Sequence, residues 1–132
     1  MSDSAALAAT GGAGLVVLGV LLVAVAALVR SGSLERNSLL GLRTPATMAT
    51  DGSWRAGHVA AEPLMRWGGV LTLLLGVAPG VVVWVLGSAR SDRDPALVPS
   101  MVGGAYVLAV GLVVAAGVRA HRAALRHLVE HR

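Results

Sequence analysis

The chain has 132 residues, 55% of them apolar and 14% charged, with no cysteine and a net charge of +4. Without cysteine there is no disulfide framework and no thiolate site. The basic balance would suit a nucleic-acid partner, but the arginines are placed by topology instead. Three runs, 12–29, 68–87 and 101–118, contain no Asp, Glu, Lys, Arg or His. Each is 18 to 20 residues long, and a helix needs about 20 residues to cross a bilayer core. A soluble chain this short has no core able to bury three such helices all round.

The expected fold is therefore all-α: an integral membrane three-helix bundle with a structured cytoplasmic loop of short helices between spans 1 and 2. It forms a single membrane domain over 1–132, with spans at about 12–29, 66–87 and 100–118. The cytoplasmic loop covers 30–65 and a basic cytoplasmic tail 119–132. All eleven basic residues are arginine, amid heavy Ala, Gly and Val usage, which fits a GC-rich bacterial genome. Nine of them fall in the segment 30–66 and the tail, which three crossings put on one side; Arg90 and Arg93 fall on the other, beside Asp92 and Asp94. The positive-inside rule then places the N-terminus outside and the C-terminus in the cytoplasm of a bacterial plasma-membrane protein.

In chain order, the first run is led by Asp3 and followed by Arg30. A secretory signal would have a basic lead-in, so an uncleaved first span is expected. The loop that follows is too long for a plain connection. Leu34, Leu39, Leu40, Leu42, Met48, Trp54, Val59 and Leu64 give it apolar surface to bury. Ser33 can cap a short helix that Gly41 ends. Thr44, preceding Pro45, is expected to be extended. Thr50 or Asp51 can cap a second short helix running toward Pro63, with Trp54, His58 and Ala61 on one face.

The second span is expected to open near Pro63, with Glu62 close to the helix N-terminus, and to place Trp67 and Trp84 near the two interfaces. Pro79 predicts a kink. Gly76 and Gly80, like Gly111 and Ala115 in the third span, stand at the small-xxx-small spacing that lets helices approach closely. Thr72 and Tyr106 are the main polar side chains at membrane depth, each able to satisfy itself locally. A coupled transporter or proton pump needs ionisable groups there, which argues against both. The tail continues the third helix, with Leu125, Leu128 and Val129 at helical spacing. Its arginines lie against anionic lipid headgroups, so no nucleic acid is implied. His127 and His131 have no Cys or Asp nearby and read as solvated histidines. No metal and no cofactor is expected.

The string Asn37-Ser38-Leu39-Leu40-Gly41-Leu42-Arg43-Thr44-Pro45-Ala46-Thr47, followed by Thr50, Trp54 and His58, resembles the signature of the SdpI family of small multi-span bacterial membrane proteins. The matching elements are an Asn four residues before a Gly, then Arg-Thr-Pro-x-Thr, then Trp and His at set intervals. The resemblance implies immunity to a secreted peptide toxin and linked signalling at the membrane. It marks Asn37, Gly41, Arg43, Thr44, Pro45, Thr47, Trp54 and His58 as the motif and binding residues.

Chemically, Arg43 is a fork donor beside a Thr-Pro turn, with Asn37 and Thr47 placed to orient it. Trp54 and His58 can pack over that turn. One reading is a preformed pocket for a partner segment or a lipid headgroup. The other is that Arg43, Asn37 and Thr47 satisfy the loop's own carbonyls while Trp54 anchors it in the interface. The two are compatible. His58 has no Ser or Cys partner at a recognisable spacing, so a non-enzymatic protein is expected. The sequence thus points to an SdpI-like membrane protein that protects against or senses a membrane-active peptide toxin. The alternative is a small accessory subunit of a larger membrane complex or transporter. Partners on these readings are the bilayer, a peptide toxin or membrane protein, and a second copy of the chain.

Overall fold

A computed structural model describes residues 2–36, 39–87 and 93–131. Its elements are three helices, α1 (Asp3–Ser31), α2 (Asp51–Leu86) and α3 (Leu97–Glu130). With 29, 36 and 34 residues they run about 44, 54 and 51 Å, each beyond the ~30 Å of a hydrocarbon core. All three are long and apolar enough to cross a membrane, and no more than 28% of any of their most apolar stretches is buried. Val20, Leu74, Val77, Trp84, Val107 and Val114 all face outward. In water such faces would aggregate, whereas lipid tails cover them at no cost. This is the surface of a multi-pass membrane protein.

Local chemistry sets the helix ends. Gly32 has φ +73°, and after it the Ser33 amide donates to the Leu28 carbonyl and the Gly32 amide to that of Val29. This is the Schellman closure of α1. At α2, Thr50 and Ser53 form a reciprocal cap: the Ser53 amide donates to Thr50 Oγ1 and the Thr50 amide to Ser53 Oγ, both at 3.0 Å. At α3 the Asp94 carboxylate accepts from the Ala96 amide at 3.2 Å, with Pro95 where a missing amide costs nothing.

Three expectations are corrected. The stretch from Asp51 toward Pro63 is not a separate short helix but the opening turns of α2, so this helix starts well before Glu62, which sits mid-helix and pairs with Arg66 at 3.6 Å. The helix passes Pro63 because the ring and Val59, whose carbonyl it leaves without an amide, both lie on the exposed face. Among the described residues of 33–41 there is no helix: the Ser33 amide is spent on closing α1, and Gly41 adopts φ +118° inside the loop rather than ending a helix. The close approaches also fall elsewhere. Gly80 and Gly111 face open space, while Gly76 meets Gly12 of α1.

Contacts group the chain into two compact units. The first, 1–21 with 69–110, has α1 and α2 in backbone contact. A Cβ on Gly12 would strike the Gly76 carbonyl, and one on Gly19 would stand 2.8 Å from that of Gly69. Leu15, Ala105 and Ala109 fill one cluster of this unit; Ala8, Val98 and Val102 fill another. Tyr106 donates to the Gly11 carbonyl at 3.1 Å, so its hydroxyl is satisfied by α1 rather than within its own helix. The second unit, 22–68 with 111–132, packs Val25 and Ala26 of α1, Ala61 and Met65 of α2, and Ala116 and Ala120 of α3. Leu34 and Leu42 of the connecting segment lie against that cluster. This unit carries the motif.

Candidate functional site

The site begins with two successive turns written in threonine and serine. In 44–47 the Thr47 amide donates to Thr44 Oγ1 at 3.2 Å while the Thr44 amide donates to Thr47 Oγ1 at 2.8 Å. Thr47 Oγ1 lies 2.9 Å from the Leu42 carbonyl, to which its proton is directed. Pro45, exposed, presets the turn's φ. The Thr50–Ser53 cap repeats the same exchange, and the Met48 amide closes on the Thr44 carbonyl at 3.0 Å. Thr47 and Ser53 are fully buried, and each buried hydroxyl has partners, as burial requires.

On this turn sits the aromatic pair of α2. Trp54 and His58, one turn apart, are 3% and 1% exposed and meet at 4.0 Å between centroids with their planes tilted by 39°. Trp54 Nε1 donates to the Leu34 carbonyl at 3.1 Å. The Leu42 amide donates to His58 Nε2 at 2.7 Å, and His58 Nδ1 lies 2.8 Å from the Trp54 carbonyl. An amide can only donate, so Nε2 must be the bare nitrogen and Nδ1 must carry the proton. His58 precedes the apolar stretch of α2 and is held neutral: burial pushes its pKa below the ordinary 6.5, against a smaller upward pull from the Trp54 carbonyl. Gly41 lies flat on this pair. A Cβ there would sit 2.8 Å from both His58 Nε2 and the Trp54 ring, and φ +118° already excludes most side chains.

The remaining supports come from further along the chain. Arg36 reaches back over the turn, its Nη1 donating to the Met48 carbonyl at 3.0 Å and its Nε 2.8 Å from Asp51 Oδ1. His121 of α3 places Nδ1 3.1 Å from Thr44 Oγ1. Gly57 lets α3 come close, since a Cβ there would be 2.9 Å from the Ala120 carbonyl. A cavity of about 160 Å³ opens beside Trp54 and His58, edged by Arg36, Asp51 and Arg55.

The motif residues thus divide. Gly41, Thr44, Thr47, Trp54 and His58 form one contiguous network. Arg43 and Pro45 are exposed at its surface, and Asn37 lies outside the described residues. Thr47 is committed to the backbone of its own turn rather than to Arg43. Trp54 is buried in the second unit instead of standing in an interface; among the tryptophans it is Trp67 and Trp84 that face outward. Arg36, Ser53 and His121 were not legible as site residues. Only Ser53 leaves a trace, in Thr-x-x-Ser following Thr-x-x-Thr at 50–53 and 44–47. His127 and His131 stack at 4.2 Å, and no group of three metal-ligating side chains occurs among the described residues.

A model of the SdpI/YfhL protein family matches residues 33–120, a stretch that takes in this network together with all of α2 and most of α3. No curated protein and no solved structure matches the chain.

Proposed function

Because this chain belongs to the SdpI/YfhL protein family, matched over residues 33–120 of 132, we propose that it protects against or senses a membrane-active peptide toxin at the bacterial plasma membrane, without catalysing a reaction. The observation that carries this reading is the joining of an ordered, hydrogen-bonded motif to three helices with no ionisable side chain in their apolar runs. A peptide that enters the bilayer meets exposed Val and Leu faces on all three helices. The motif ties Leu34, Leu42 and Thr44 to α2 and α3 through Trp54, His58 and His121, so a shift of either helix is passed to the segment that carries Arg43.

The commitment of the network's polar groups to the backbone supports the non-enzymatic reading: both ring nitrogens of His58 are engaged there, and the hydroxyls of Thr47 and Ser53 serve backbone groups. The nine-to-two arginine asymmetry supports an outside N-terminus and a cytoplasmic loop and tail. Deleting the gene and challenging the strain with the peptide toxins made by itself and its neighbours tests the proposal. Raised sensitivity to one of them, restored by the intact gene, is expected; unchanged sensitivity to all would refute it.

A second reading, a small subunit of a larger membrane complex, draws on Gly80, Gly103, Gly104 and Gly111, each with open space where a Cβ would stand. Close helix packing by a partner would use such positions. Purification in mild detergent separates the readings, since a large stoichiometric partner favours the subunit.

A further inference from the structure

In the second unit, α2 and α3 leave an open groove of about 600 Å³. Its apolar part is Ala60 and Leu64 of α2 with Ala115, Val118 and Ala123 of α3. Arg119, Arg122 and Arg126 line it further along α3, at i, i+3 and i+7, where successive side chains share a face. All three are exposed, and none is ion-paired to a carboxylate among the described residues. The change from apolar to cationic lining falls where the charge-free run of α3 ends, at Val118. The Gly57–Ala120 contact fixes how closely the two walls approach.

We propose that this groove is a discrete binding site for one anionic phospholipid. The phosphate is held by Arg119, Arg122 and Arg126, whose guanidinium forks match its geometry, and an acyl chain lies along Ala60, Leu64, Ala115 and Val118. The charge and the apolar floor are both needed: a free anion would leave the floor uncovered, and a zwitterionic lipid would bring its own cation to the arginines. The site stands independently of the toxin reading and is narrower than general attraction of a basic tail to a charged surface, which would not depend on groove shape.

Native mass spectrometry of the full chain, purified in mild detergent and offered equal phosphatidylglycerol and phosphatidylcholine, counts the lipid retained. One phosphatidylglycerol per chain is expected in preference to phosphatidylcholine. Arg122→Gln should lower its retention about fivefold. Ala123→Leu, which fills the groove with every charge intact, should also lower it, while Arg30→Gln at the end of α1 should not. Circular dichroism of each variant checks that the helices remain. Equal retention of phosphatidylcholine would overturn the proposal. So would equal losses in Arg30→Gln and Arg122→Gln with Ala123→Leu unaffected, the signature of diffuse charge attraction. Displacement of the lipid by inorganic phosphate at matching concentration would make this a free-anion site and refute the lipid assignment.

Discussion

The two compact units use segments of the same three helices but hold them together differently. In the first, α1 and α2 touch backbone to backbone at glycines, and small apolar clusters complete the packing. In the second, three buried polar side chains, Thr47, Ser53 and His58, anchor a nonhelical segment whose amides and carbonyls would otherwise be stranded. The contrast follows from the surroundings. Between spans, lipid supplies no hydrophobic drive, so contact must come from close van der Waals approach. Where the chain leaves regular structure, each buried backbone group needs its own partner.

The contrast can be broken from either side. The largest effect is expected from His58→Ala, which leaves the Leu42 amide without an acceptor and empties a ring-sized volume under Gly41. A loss of about 3 kcal/mol should appear as rapid proteolysis within 34–47 while the apolar helices stay protected. If the helices melt with the loop, the two units are not distinct in stability. Next, Gly76→Leu should cost about 2 kcal/mol by forcing α1 from α2, whereas Gly80→Leu, facing open space, should be near neutral. Thermal unfolding in detergent compares them, and equal costs would remove the glycine contact from the account.

Acid should act on the second unit alone. His58 has its pKa lowered in the fold, so the neutral ring is the folded form. Its stabilisation is complete above the ordinary value of 6.5 and is lost as pH falls below it toward the folded pKa. The Leu42 amide resonance should weaken as pH falls through the folded pKa, with the Tyr106–Gly11 contact of the first unit unmoved. Trp54→Phe keeps an aromatic ring but gives up part of the indole's buried volume together with the bond to the Leu34 carbonyl, for about 2 kcal/mol by chemical denaturation. Smallest of all, Arg43→Ala at the exposed surface should shift stability by less than about 0.5 kcal/mol. If abundance is kept while toxin protection disappears, Arg43 acts in recognition; if protection persists, the motif's role is structural.

The three helices were legible because charge-free runs of this length have one solution in a bilayer. The shared face of Trp54, His58 and Ala61 was also legible, being a matter of helical period alone. The start of α2 was not. Proline usually signals a boundary, yet Pro63 sits on an exposed face where its missing amide disturbs no packing. Arg36 and His121 reach Met48 and Thr44 across 12 and 77 residues, distances at which no local pattern exists. Gly76 was legible as a contact residue, but its spacing mate Gly80 faces open space, and no local pattern points from Gly76 to Gly12 on α1.

The α1–α2 glycine contacts step seven residues forward on one helix, from 12 to 19, and seven back on the other, from 76 to 69. A residue inserted between the two steps would rotate everything beyond it by about 100° and turn a glycine away from its seat. Descendants of this chain that adapt to a thicker bilayer therefore cannot lengthen there. They must grow by added turns outside both seats, or by a change of tilt.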